Sequence, residues 1–151
     1  MIMARKIFRP MTVLVAVVAI LIILVISKFR STAKYTTVEI GSTKVKAEIA
    51  GTMAKQMQGL MFRQGIKEND GMLFVFDDYD YHSIWMMNMN FSIDIIWIKD
   101  GKIVDIYKNA QPCGISCPTY VPRSMDNYVL EVNSGFVEKH GIEVGDNVKI
   151  G

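Results

Sequence analysis

The stretch 71–105 constrains this chain more than any other. It reads GMLFVF, then DDYDY, then HSIWMMNMNFSIDIIWIKDGKIVD, and it holds both tryptophans, Trp85 and Trp97. β-Branched and aromatic side chains fit a pleated, half-buried surface, so the stretch is expected at the centre of a β-sheet. Residues 71–76 are apolar at every position after the glycine, which predicts an internal strand covered on both faces. Asp77-Asp78-Tyr79-Asp80 reads as a turn. Residues 82–87 and 93–99 read as further strands, and Asp100-Gly101 as a type I′ hairpin turn into 102–107.

The flanks extend this pattern. Residues 35–40 and 43–50 alternate around Gly41-Ser42, a two-residue hairpin turn. Val45, Ala47 and Ile49 face one side of the second strand and Lys44, Lys46 and Glu48 the other, so one face of this hairpin is expected to be wet. Thr52 is placed to cap a helix over 53–62, with Met53, Met57, Leu60 and Met61 as its buried stripe. Residues 109–122, rich in Pro, Gly, Ser and Cys, form a loop. A strand over 127–132, a short helix opened by Ser134 and closed by Gly141, and a last strand over 147–150 complete the chain. About eight short strands with two short helices predict a mainly β fold, an antiparallel β-sandwich or flattened barrel.

Ahead of this domain, residues 11–27 are uncharged and almost wholly apolar. As a helix they would be about 26 Å long, near the lower limit for crossing a bilayer core of roughly 30 Å. Arg5, Lys6 and Arg9 give the basic start of an export signal. Cleavage after Ala33 is the alternative, since Ser31-Thr32-Ala33 supplies small residues. Lys28 and Arg30 lie between that site and the apolar run, which favours a retained signal anchor. The expected organisation is a cytoplasmic tail and transmembrane signal anchor (1–30), a short tether (31–34), and a single extracytoplasmic β domain (35–151).

Charge supports this division. All fifteen acidic residues lie from Glu39 onward, and from Ser31 onward twelve basic residues face fifteen acidic ones, a net −3. A mildly acidic domain without a basic stripe is a poor nucleic-acid binder, which sets that class aside. Besides the membrane, the expected partner is a small molecule, a glycan or an envelope protein. No cofactor is expected.

The succession of blocks is distinctive. Gly59-Leu60-Met61-Phe62-Arg63, Gly71-Met72-Leu73-Phe74-Val75-Phe76, Trp85-Met86 with Asn88, Ile93-Asp94-Ile95-Ile96, and Tyr128-Val129-Leu130-Glu131-Val132-Asn133-Ser134-Gly135 follow one another in order. Gly141-Ile142 and Gly145-Asp146 close the series. Over about 36–150 the chain resembles domain-of-unknown-function family 192. The resemblance implies a jelly-roll-like β-sandwich and no particular activity. The chain departs from the family where it has Met87 in place of a basic residue, Met89 in place of threonine and Ser92 in place of proline.

The candidate binding residues are Arg63, Trp85, Met86, Asn88, Asp94, Tyr128 and Glu131. Asp94 shares a strand face with Ile96 and Ile98, and Glu131 shares one with Val129. A carboxylate on an apolar face must be paired, hydrogen-bonded or functional, because burying it alone is costly. One reading is a structural pair with Arg63 that pins the helix to the sheet. The other is a ligand pocket with Trp85 as its floor and the carboxylates as orienting groups.

Asp94 and Glu131 would also serve a carbohydrate hydrolase if they stood roughly 5–10 Å apart across a scissile bond. No G-x-S-x-G, H-E-x-x-H or phosphate-loop signature accompanies them. His82, Met86, Met87 and Met89 carry donors suited to Cu(I), but an extended strand would split them between two faces, and methionine is also ordinary core filler. Cys113 and Cys117 in PCGISCP are expected to form a local disulfide in an exported domain. Asn90-Phe91-Ser92 is an N-x-S acceptor triplet, a weak signal.

Overall fold

The computed structural model describes residues 13–21, 33–114 and 116–151, and the chain divides into two compact units, Met1–Ala33 and Lys34–Gly151. In the first unit, residues 13–21 are helical (α1). Among the described residues no helix is long and apolar enough to cross a membrane. Residues 11–12 and 22–27 of the expected span lie outside the described residues.

The second unit is mainly β. Its elements are β1 (Tyr35–Ile40), β2 (Thr43–Ala50), α2 (Met53–Gln58), β3 (Asp70–Asp80), β4 (Ile84–Trp85), β5 (Ile93–Lys99), β6 (Lys102–Ala110), β7 (Thr119–Tyr120), β8 (Asp126–Asn133), α3 (Phe136–Lys139) and β9 (Val148–Ile150). Seven strands form one sheet in the order β6-β5-β8-β3-β2-β1-β9, and β4 pairs with β7 apart from it.

This sheet refines the expected antiparallel β-sandwich or flattened barrel in two ways. First, β2 and β3 are parallel, with Glu48 opposite Met72 and Ala50 opposite Phe74. Parallel neighbours cannot be joined by a tight turn, and the chain between them carries α2 over one face of the sheet. Second, the sheet curls into a half-barrel whose outer strands meet at one end. Gly145 N–H donates to the Ile103 carbonyl at 2.8 Å, Ile103 N–H to the Asp146 carbonyl at 3.0 Å, and Val148 N–H to the Gly101 carbonyl at 2.8 Å. These bonds satisfy edge groups of β6 and β9 that would otherwise face solvent.

The central strands are apolar on both faces because both faces are covered. Val45, Leu73, Ile96, Ile98, Leu130 and Val132 pack on one side with Phe136 and Val137 of α3. On the other side Met72, Phe74, Ile93, Ile95, Trp97 and Val129 pack beneath Leu60, Ile84, Met86 and Met89. Each fully buried isoleucine of β5 contributes about 1.5–3 kcal/mol relative to exposure.

Local departures have local causes. The DDYD run is not a turn: β3 continues through it to Asp80, which is placed opposite Asp126 after a register shift. Residues 82–87 do not form a full strand: Ile84 and Trp85 pair with Tyr120 and Thr119, and Met87 makes a single bridge to Cys113, all within what reads as loop. The helix stops at Gln58 because Gly59 takes a left-handed φ of 50°, and its N–H closes on the Lys55 carbonyl. The Asp100-Gly101 turn has φ of 50° and 73°, as a type I′ hairpin requires. Cys113 and Cys117 are joined by a disulfide.

Candidate functional site

Glu131 sits in mid-β8 with its side chain on the face formed by Met72, Ile95 and Val129. The residue is 4% exposed, and its Oε2 has no hydrogen-bond partner among the described residues. Burial pushes its pKa up to about 8, and the charge of Arg63 opposes this only in part. The carboxyl is therefore protonated at neutral pH and offers an O–H donor as well as acceptor lone pairs.

This carboxyl borders an open cavity of about 230 Å³. Leu60, Phe74, Phe76, Ile84 and Met89 supply apolar wall, and Met53, Met57 and Trp85 supply the rim. The expected buried stripe of the helix is corrected here. Met53 and Met57 are 76% and 62% exposed, and only Leu60, beyond the helix end, is fully inserted. Gln56 turns inward and donates to the Val75 carbonyl at 2.7 Å, holding α2 against β3.

Arg63 pairs with neither Asp94 nor Glu131. Its Nη2 lies 2.8 Å from Oε2 of Glu48, on the β2 face expected to be wet. Glu48 stands opposite Met72, which stands opposite Glu131, so both glutamates are on one face of the sheet two strands apart. Reading a lysine-rich strand face as solvated hides this acid, whose only sequence signal is its sign among Lys44 and Lys46.

Asp94 points to the opposite face, beside Val132 and Ile96. It is fully buried and fully satisfied: Oδ1 accepts from Asn109 N–H at 2.9 Å and Oδ2 from Val137 N–H at 3.0 Å. It caps α3 from a distance, in place of a side chain at Gly135. Asp94 and Glu131 therefore do not converge on one bond, and the two-carboxylate arrangement for glycoside cleavage is absent from this pair. Tyr128 also belongs to the opposite face.

Of the remaining candidates, Trp85 is 45% exposed at the rim, whereas Met86 is fully buried. Asn88 acts through its backbone. With φ of 58° its carbonyl accepts from Phe62 N–H at 2.9 Å, and Asn90 Nδ2 donates to the Arg63 carbonyl at 2.9 Å. These bonds clasp 62–63 to 88–90 beside the cavity.

The structure does not assemble the copper set. His82 Nδ1 lies 3.0 Å from Asp126 Oδ1, its Nε2 lies 3.2 Å from Asp78 Oδ1, and its ring stacks on Phe76 at 3.6 Å. Both imidazole nitrogens thus face carboxylates, while Met86 lies in the core. Among the described residues no group of three or more His, Cys, Asp or Glu could hold a metal ion. Asp126 is fully buried, and burial pushes its pKa up to about 6 against the hydrogen bond and charge of His82.

Known proteins share this architecture. A Sinorhizobium meliloti protein put forward as a transcription regulator has a solved structure that is 29% identical and covers 80% of this chain and 97% of that one, with a TM-score of 0.73. A protein of unknown function from Novosphingobium aromaticivorans is 32% identical over 78% of this chain and 84% of that one, with a TM-score of 0.70. UPF0127 proteins of Thermococcus gammatolerans and Thermococcus sibiricus are 31% and 29% identical over 66% and 68% of this chain. The chain spans 62% and 64% of those two relatives, under two thirds of their length. The family pattern described as "Uncharacterized ACR" matches residues 36–150, and the chain belongs to that family, DUF192 or UPF0127.

Proposed function

We propose that the 35–151 domain is a ligand-binding module of the cell envelope, with the cavity beside Glu131 as its site and the 11–27 segment as its membrane anchor. One observation carries the binding reading: a buried carboxyl with an unpartnered oxygen beside an open, mostly apolar cavity. Leaving such an atom without a partner costs stability, and a hydrogen-bonding group seated in the adjoining cavity would recover that cost. The apolar wall with a few convergent polar groups is the usual composition of a small-molecule site. Its volume lies below the ~300–1,000 Å³ of most such sites, so the ligand is small.

The envelope location is supported by the basic start, the apolar run and the paired cysteines, since disulfides persist in oxidising compartments. The relative put forward as a transcription regulator does not lead us to propose a DNA partner, because this domain is acidic.

The binding reading is tested by titrating the full chain with fluorobenzene and following both its ¹⁹F line width and Trp85 emission in a Trp97→Phe background. Saturable broadening that Ser83→Phe, at the cavity wall, abolishes is the expected outcome. Broadening unaffected by that substitution would place binding elsewhere and withdraw the reading.

A further inference from the structure

The ligand's body and head can be read separately, given that the cavity is a ligand site. We propose that the cavity takes a small uncharged amphiphile, an aromatic or short aliphatic body ending in a neutral head such as a carboxamide that exchanges hydrogen bonds with Glu131.

The body follows from size and lining. An apolar cavity of about 150 Å³ holds benzene, so a cavity of about 230 Å³ holds a ring of that size with a short polar head. Met53, Met57, Met61 and Met89 line it beside Phe74, Phe76 and Trp85. Unbranched thioether side chains adapt to the shape of an occupant, and sulfur contacts aromatic rings favourably.

The head follows from charge. The polar lining residues are Gln56, Gln58, Ser83 and Glu131, with no lysine, arginine or histidine among them. A carboxylate or phosphate head would have no counter-charge there. Arg63, the cation nearest in effect, is already bonded to Glu48. Lys55 of α2 turns to the Ile49 carbonyl. From β3 and β5 the residues opposite Glu131 are Met72 and Ile95, both uncharged. An ammonium head would need Glu131 ionised where burial keeps it protonated. A neutral head requires neither change. A carboxamide presents an acceptor and a donor side by side, matching the hydroxyl and carbonyl of a protonated carboxyl.

The experiment uses four probes that share one body: fluorobenzene, 4-fluorobenzamide, 4-fluorobenzoate and 4-fluorobenzylamine, each titrated by ¹⁹F NMR against the full chain in lipid nanodiscs. The amide is expected to bind about tenfold more tightly than benzoate, benzylammonium or fluorobenzene, as one satisfied buried hydrogen-bonding group would give. Its affinity should fall above about pH 8 in the native protein and stay level in Glu131→Gln, a variant that keeps an uncharged hydrogen-bonding head. Ser83→Phe should remove binding of all four. If benzylammonium binds best, or if fluorobenzene binds as well as the amide, the neutral-head proposal falls and the cavity reading stands. If none of the four binds, both fall together.

Discussion

Asp94 and Glu131 share one sequence signature, an acid on an apolar strand face, and fold into opposite situations. Both oxygens of Asp94 accept backbone N–H bonds, so exchanging one oxygen for an amide sets donor against donor. Asp94→Asn is expected to cost about 1–3 kcal/mol in urea unfolding, with frayed α3 amides in hydrogen exchange. Glu131 carries the reverse expectation. Its folded pKa of about 8 lies above the ordinary 4.5, so the folded state holds the extra proton between those values. Stability from this group is therefore intact below about pH 4.5, declines through the window and levels off above pH 8, by at most about 5 kcal/mol. Glu131→Gln should remove that decline and exceed the native stability at pH 9. Asp126, raised to about 6, adds its own decline at lower pH, so the difference between native and Glu131→Gln curves is the quantity to follow. Curves that run parallel across pH 5–9 would show that Glu131 titrates normally.

At the scale of elements, α2 separates what apolar periodicity can convey from what it cannot. The spacing of Met53, Met57, Leu60 and Met61 fits a buried stripe, yet the helix ends at Gly59 and its methionines rim a cavity. Replacing both Met53 and Met57 with Gln is expected to change stability by less than about 0.5 kcal/mol, whereas Leu60→Ala should cost about 2–5 kcal/mol. A loss above 2 kcal/mol in the double variant would restore the two methionines to the core. The same variant should weaken fluorobenzene binding, which separates the rim's role from support of the fold.

Strands were more legible than helices because their signals are local. Period-two alternation around Gly41-Ser42 locates β1 and β2, and the β-branched and aromatic runs on either side of Asp100-Gly101 locate β5 and β6. The extension of β3 through Asp77–Asp80 escapes this reading, since four polar residues resemble a turn until β8 is placed beside them. The parallel β2–β3 pair and the Arg63–Glu48 bond escape it too, because both depend on contacts distant in sequence. Glu131 was recognisable as a costly burial, but only the fold tells that it borders a cavity while Asp94 caps a helix.

At the scale of the whole chain, two independent features bear on where the domain works. The apolar run with basic residues ahead of it is an export pattern, and the acidic composition is confined to the residues beyond it. Cys113 and Cys117 form their bond within a five-residue segment, a ring too short to add more than about 2 kcal/mol by constraining the unfolded chain. The bond is therefore better used as a reporter of compartment than as a support of the fold. In intact cells, a membrane-impermeant maleimide should label neither cysteine until an impermeant reductant is added, and both afterwards. Serine at both positions should abolish the signal and leave the fold in place. Labelling that needs a permeant probe, and no reductant, would put the domain in a reducing compartment. The envelope location and the anchor would then be withdrawn, while the cavity beside Glu131 would remain to be matched with a small molecule of the cell interior.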